Sequence, residues 1–280
     1  MKTDPFIEVL VQIPVAEQDF LSWMASDCGA DGVEELETEA QQVTLKLYFK
    51  DNPSLVDGAV QKLVATGSVT LISNTRQEGQ DWQAQWKQYF KPLQVGERFM
   101  VRPPWEANPW PERLDLVISP AQGFGTGYHE TTRLALIGLE QLNLEGITSF
   151  IDVGCGSGIL ALGALKLGVP QGVGLEIEPE PIEELPGNME LSGLDPKRLT
   201  GVLARPDQWQ KPADLVLANI TGDVLLHHSD DLKRLTKRYL VLSGIMGDYV
   251  SPLQRAFEDW APLSHTTEGD WHSLVFERQP

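Results

Sequence analysis

Residues 151–168 read IDVGCGSGILALGALKLG: an apolar run, a turn carrying Gly154, Gly156 and Gly158, then a helical segment rich in Ala and Leu. A strand that enters a glycine turn and leaves as a helix is the opening unit of a parallel α/β sheet. Glycine in that turn lets the backbone come close to a ligand at the helix N-terminus. A dinucleotide fingerprint would place a further glycine at position 159, where Ile159 stands, so a nicotinamide dinucleotide loses its best support. Downstream, GVGLEI, a weak helix, LTGVLA, DLVLANI, a further helix and YLVLSGI alternate strand with helix. That alternation specifies a mostly parallel sheet with helices on both faces, a Rossmann-like domain.

GVGLEI places Glu176 where a carboxylate accepts both hydroxyls of a ribose, whereas Glu178 reads as solvated. The glycine spacing resembles the first motif of class I methyltransferases. Their cofactor, S-adenosylmethionine, has no pyrophosphate, so the turn need only pass close to its methionine and ribose portions. No metal is called for, and no His/Cys cluster offers one.

Working outward toward the N-terminus, LDLVISP has strand character, and the segment 101–112, VRPPWEANPWPE, with Pro103, Pro104, Pro109 and Pro111, reads as a loop. DWQAQWKQYF puts Trp82, Trp86 and Phe90 on one helical face, a stripe suited to a linker helix over 76–92. Before it, Phe6 to Ile13 reads as a strand, and Phe20, Leu21, Met24 and Ala25 as a helix. Gly32 to Leu36 and Val43 to Phe49 are further strands, Pro53 to Thr66 a helix and Ser68 to Ile72 a fourth strand. The order β-α-β-β-α-β is the ferredoxin-like unit. The expected organisation is therefore residues 1–75 as a small ferredoxin-like α+β domain, 76–92 as a linker helix, and 93–280 as the Rossmann-like domain.

The chain has 280 residues, enough for two domains or one large one, with 40 acidic against 22 basic residues and a net charge of −18. Such a surface repels nucleic-acid phosphate and steers positively charged partners, and it equally serves plain solubility. Only Cys28 and Cys155 are present, too few for a disulfide framework and too far apart for a metal pair, which implies a reduced, intracellular compartment. With Asp4, Pro5 and Glu8 interrupting the first residues and no membrane-length apolar run, the expectation is a soluble, cytoplasmic protein.

Four segments carry a resemblance to one family: DWQAQWKQYFKPLQVGERF, GFGTGYHETTRLAL from Gly123, IDVGCGSGILALGALKLG, and ADLVLANITGDVL followed by LVLSGI. On these the chain is similar to the ribosomal protein L11 methyltransferases, or PrmA. The resemblance implies a small N-terminal substrate-recognition domain, a linker and a C-terminal methyltransferase domain that uses S-adenosylmethionine. The implied substrate is the lysine side chains or α-amine of a basic protein, ribosomal protein L11, with neither nucleic acid nor membrane as a partner. It also implies that Thr132, Gly154, Gly156, Glu176 and Asn219 bind the cofactor. Asn219 carries an independent reading as the catalytic residue, since an amide at a strand end, beside the Ile220 carbonyl, accepts amine N–H groups and aims the lone pair. His129, in the loop with Thr126, reads as structural or substrate-lining more often than as a general base and stays a weak candidate for the latter.

The chain departs from the family pattern at Glu176, where aspartate is usual, at Glu130, where proline is usual, and at Thr221, where leucine commonly stands. Pro186 followed by Gly187 is expected to break the helix after Glu176. The alternatives are a methyltransferase acting on another protein, a small molecule or RNA, or a protein that keeps the fold with reduced activity.

Overall fold

A computed structural model describes residues 5–15, 25, 28–39, 41–77, 90–119 and 127–279. The chain divides into two compact units, Met1–Tyr89 and Phe90–Pro280.

The first unit contains β1 (Phe6–Pro14), β2 (Gly32–Glu39), β3 (Gln42–Lys50), α1 (Pro53–Val64) and β4 (Thr70–Gln77). Strand alternation sends Ile7, Val9, Val11 and Ile13 to one face. There they pack with Leu45, Leu47 and Phe49 of β3 and with Val56, Ala59 and Leu63 of α1. Asn52 caps α1 by accepting the Leu55 N–H at 3.3 Å, and Pro53 opens its first turn. The antiparallel sheet order is β2-β3-β1-β4, the ferredoxin-like pairing. Of the helix expected between β1 and β2, only Ala25 belongs to the described residues; it is helical and fully buried, while Phe20, Leu21 and Met24 lie outside them.

The strand expected at Ser68 to Ile72 instead runs from Thr70 to Gln77, with Arg76 paired to Ile7 and forked onto Asp51 at 2.5 and 2.7 Å. Its side chains are mostly exposed, so TLISNTRQ lacks the apolar alternation that marks a strand. Arg76 and Gln77 are thus strand where a linker helix was expected, and residues 90–92 are irregular. The rest of that segment, with Trp82 and Trp86, lies outside the described residues.

The second unit opens with a small sheet, β5 (Leu93–Val95), β6 (Phe99–Arg102) and β7 (Leu114–Val117). The proline-rich loop therefore begins at Pro103, because Val101 and Arg102 still belong to β6. Next come α2 (Glu130–Glu140), β8 (Ser149–Val153), α3 (Ile159–Lys166), β9 (Gln171–Glu176), α4 (Pro179–Leu191), β10 (Leu199–Leu203) and β11 (Ala213–Asn219). The unit closes with α5 (Gly222–His227), α6 (Ser229–Leu235), β12 (Thr236–Met246), α7 (Gly247–Ala256), β13 (Ala261–Glu268) and β14 (Trp271–Glu277). The large sheet has the order β10-β9-β8-β11-β12-β14-β13 and is parallel from β10 to β12. β14 runs antiparallel to both of its neighbours. One core holds Leu136, Leu139, Leu160, Leu165 and Leu185 against Leu215, Leu217 and Val241; a second holds Leu225, Leu232, Leu253 and Phe257 against Val216, Leu240 and Leu242. Helices thus cover both faces.

Strand order reverses between β8 and β11, and in open α/β sheets ligands bind beyond the strand C-termini at such a switch point. The turn after β8 and the last residue of β11, Asn219, both lie there.

The helix break expected at Pro186 and Gly187 does not occur: α4 is continuous from Pro179 to Leu191. Both residues lie on the solvent face, where water can meet the carbonyl that proline leaves without an amide. The opposite face is tied down on either side of them. Leu185 and Met189 are buried, the Asn188 side chain bonds Ser157 O at 3.0 Å and Ser119 N at 3.1 Å, and Ser192 Oγ bonds both Val117 O and Val117 N. Tertiary packing overrides local propensity. Because proline costs a helix interior up to about 3 kcal/mol, Pro186→Ala should stabilise the protein by roughly 1–3 kcal/mol. Urea unfolding at unchanged m-value measures this, and a destabilised variant would mean that the ring itself is packed.

Candidate functional site

In the turn after β8 four amides are already taken. Gly154 N and Cys155 N donate to Leu175 O at 2.8 and 3.1 Å, Gly158 N to Cys155 O at 2.8 Å, and Gly156 N to Glu176 Oε2 at 3.0 Å. In the first turn of α3, Ala161 N donates to Asp152 Oδ2 at 3.0 Å. A pyrophosphate would need such amides free, so this turn suits a cofactor without phosphates. Gly154 and Gly156 have φ of +66° and +49°, a region that side chains avoid. At Gly154 a Cβ would also stand 2.5 Å from Ile220 Cγ2.

Glu176 ends β9 with its carboxylate held by three amides, Gly156 N on Oε2, and Ile177 N at 2.7 Å and Glu178 N at 3.4 Å on Oε1. Oε2 keeps a second lone pair, and on Oε1 a hydroxyl can replace the long 3.4 Å bond from Glu178 N, so two vicinal hydroxyls can be accepted. Beside it, Ile177 and Leu203 are 67% and 60% exposed, an apolar rim that would cover a flat base. Their exposure comes from tertiary placement at strand ends and leaves no mark in the sequence.

Asn219 ends β11, and its Nδ2 donates to Thr132 Oγ1 at 3.3 Å; Thr132 is 2% exposed. The amide orientation follows: with Nδ2 turned to the threonine, Oδ1 is the atom left to accept from a substrate. The Ile220 carbonyl, expected to assist, lies against Gly244, whose Cβ would stand 2.3 Å from it. Thr132 sits in the first turn of α2, which His129 caps by accepting the Thr131 N–H at Nδ1 over 3.3 Å. His129 also meets the edge of Trp271 with ring centroids 5.1 Å apart. Both contacts tie this ring to the helix start and to β14.

Gly154, Gly156 and Glu176 therefore meet at one end of the site, and Asn219 meets Thr132 at the other, bridged by Ile220 over Gly154. Gly123 and Thr126 lie outside the described residues. Asp152 was not singled out in the sequence although it stands in the same motif: it is 1% exposed, and burial, reinforced by the Glu176 charge, pushes its carboxyl up to about 8. The buried Cys155 thiol is likewise pushed up by burial, which makes it inert. Among the described residues no group of three or more His, Cys, Asp or Glu side chains could hold a metal ion, and no helix is long and apolar enough to cross a membrane.

A family model described as ribosomal protein L11 methyltransferase (PrmA) matches residues 5–279. A ribosomal protein L11 methyltransferase of Geobacter metallireducens is 33% identical over 298 aligned positions, covering 96% of this chain and 97% of that protein. One from Ectopseudomonas mendocina is 36% identical over 228 positions, covering 81% and 77%. The crystal structure of a ribosomal protein L11 methylase from Lactobacillus delbrueckii subsp. bulgaricus superposes with a TM-score of 0.62 at 24% identity, over 68% of this chain and all of that one. It shares the fold.

Two outcomes follow from the geometry. Glu176→Ala should weaken S-adenosylmethionine binding by roughly 1.5–3 kcal/mol for each hydrogen bond lost to the charged group; calorimetry measures this, and an unchanged Kd would remove Glu176 from the ribose. Asp152 keeps its proton to about pH 8 when folded but loses it near 3.8 when unfolded, so the folded state binds more protons in between and stability falls as pH rises through that window. Asp152→Asn keeps an acceptor for Ala161 N and should flatten the fall, read as Tm against pH from 5 to 8. A parallel slope in both proteins would place the titration elsewhere.

Proposed function

The chain belongs to the ribosomal protein L11 methyltransferase family of S-adenosylmethionine-dependent protein methyltransferases, and from that membership we propose that it N-methylates lysine side chains or the α-amine of ribosomal protein L11. The observation that carries the proposal is the Asn219–Thr132 bond at the switch point, across from Glu176 and the glycine turn. It supports an amine-aligning group at one end of the site and a ribose-holding carboxylate at the other.

In our reading Glu176 holds the ribose, the backbone at Gly154 and Gly156 lets the methionine portion approach, and Thr132 and Asn219 border the methyl. Methyl transfer forms an N–C bond as the S–C bond breaks. When bound, S-adenosylmethionine would supply the methyl from its sulfonium, leaving as the neutral thioether, and the product ammonium would release its proton to solvent. The nitrogen must arrive uncharged, so the task of Asn219 is to accept an N–H at Oδ1 and set the lone pair in line. Positioning of this kind supplies several kcal/mol of barrier lowering without acid–base chemistry.

The remaining assignments rest on the same membership. The first unit, whose last strand runs to Gln77, acts as the substrate-recognition domain, the segment after Gln77 as the linker and the second unit as the methyltransferase domain, in the cytoplasm. Among its described residues the first unit shows no glycine turn of the kind found after β8, and recognition is the role left to it. A net charge of −18 favours a basic protein partner and disfavours nucleic acid and anionic membrane.

The test uses purified ribosomal protein L11, labelled S-adenosylmethionine and two proteins: the full chain and one beginning at Phe90, the start of the second compact unit. The full chain should label L11 on amines mapped by mass spectrometry. The shorter one should bind S-adenosylmethionine with near-normal affinity yet lose most labelling, because binding energy from a remote surface orients the amine. No labelling by the full chain would sink the substrate assignment; full labelling by the shorter chain would sink the recognition role.

A further inference from the structure

Four of the five residues from His129 to Arg133, at the start of α2, reach for different strands of the large sheet. The His129 ring meets Trp271, the first residue of β14. The Thr131 carbonyl accepts Ser243 Oγ of β12 at 2.7 Å, and Thr132 Oγ1 accepts Asn219 Nδ2 of β11 at 3.3 Å. Arg133 forks onto Glu268, the last residue of β13, from Nε at 3.1 Å and Nη2 at 2.5 Å. The same guanidinium donates to the Tyr128 carbonyl and stands 3.3 Å from Glu130. One helical turn is thereby clamped from four directions, and one of the clamps is a bidentate, charge-assisted pair whose acceptor is 135 residues away in sequence.

We propose that Glu268 is a positioning residue for methyl transfer: through Arg133 it fixes the rotation and height of the first turn of α2, and so the bond between Thr132 and Asn219. The proposal rests on the reading of Asn219 as the amine-aligning group. In a helix successive residues are separated by about 100° and 1.5 Å, so a turn that slips at Arg133 carries Thr132 with it. At 3.3 Å the Asn219–Thr132 bond is already at the long end of the hydrogen-bond range, and a slip of a few tenths of an ångström releases the amide to rotate.

The other holders of this turn do not replace the fork. The Ser243 bond fixes the Thr131 backbone at one point, and the buried Leu134, Ala135 and Leu136 seat the helix by non-directional packing. The His129–Trp271 contact is an aromatic edge with little directional force. Arg133 and Glu268 side chains are 18% and 42% exposed, so the pair adds little to global stability. Displacement of a reacting group by about 1 Å, in contrast, costs up to about 10²-fold in rate. The pair therefore matters to catalysis far more than to folding, a separation that experiment can read.

Full-length Glu268→Ala, Asn219→Ala and the double variant are compared in L11 methylation, with melting temperature and S-adenosylmethionine Kd measured alongside. Glu268→Ala should lower kcat by between about 10-fold and 10²-fold, with KM for L11, cofactor Kd and melting temperature close to the parent. Glu268→Gln, which keeps one acceptor oxygen for the guanidinium, should recover part of kcat. In the Asn219→Ala background the Glu268 change should cost nothing further, because no amide remains to be aligned. An unchanged kcat in Glu268→Ala, or losses that multiply in the double variant, would overturn the positioning role while leaving Asn219 in place. A parent-like kcat in Asn219→Ala alone would overturn both readings.

Discussion

Ile220 lies where three strand ends meet, and the rest of the site depends on how closely they do so. Its side chain fills the space that a Cβ on Gly154 would need, and its carbonyl fills the space that a Cβ on Gly244 would need, 2.5 and 2.3 Å away. Both glycines hold positive φ, +66° and +81°, so the backbone there is bent as well as bare. With β8, β11 and β12 drawn together in this way, the glycine turn borders the end of β11, and Asn219 stands in register with Ser243. The same register puts the Ser243 hydroxyl on the Thr131 carbonyl, and Thr132 then follows at the amide. A larger residue at either glycine would separate the cofactor end of the site from the amine end.

The turn also restricts what binds. A phosphate-binding turn keeps its amides free and directed at the ligand. Here the amides of Gly154, Cys155, Gly156, Gly158 and Ala161 all have internal acceptors, two of them carboxyls. A diphosphate in this place would meet Glu176 with its amides already engaged, and repulsion with it. A cationic methionine portion meets the opposite sign.

The parallel half of the fold was legible in the sequence because buried parallel strands read as short apolar runs between helices, and IDVG, LEI, LANI and LSGI each end in residues that the fold places at the switch point. Glu176 and Asn219 were legible for the same reason: a polar residue closing an apolar run has few places to go. Less could be read where tertiary contacts override local preference. Pro186 was expected to end a helix that Asn188 and Ser192 hold in place from bonds to Ser119 and Val117. β4 carries mostly exposed side chains and so lacks apolar alternation. Asp152 and Glu268 escaped notice because their roles come from partners distant in sequence: a helix amide at Ala161 and the guanidinium of Arg133.

The choice of an amide at position 219 has its own electrostatic logic. A lysine amine has a pKa near 10.4, about three units above neutral pH, so only about one in 10³ is free to react. A carboxylate beside it would favour the ammonium and push that fraction lower still. An amide oxygen accepts the same N–H bond from a neutral amine while adding no charge. The nearest other carboxyl in the glycine motif, Asp152, is buried and holds its proton to about pH 8, so it adds no negative charge near neutrality. Glu176, which we propose holds the ribose, is held by three backbone amides. An acidic chain can thus attract a basic protein over its surface and still present an uncharged acceptor at the atom where the lone pair must be free.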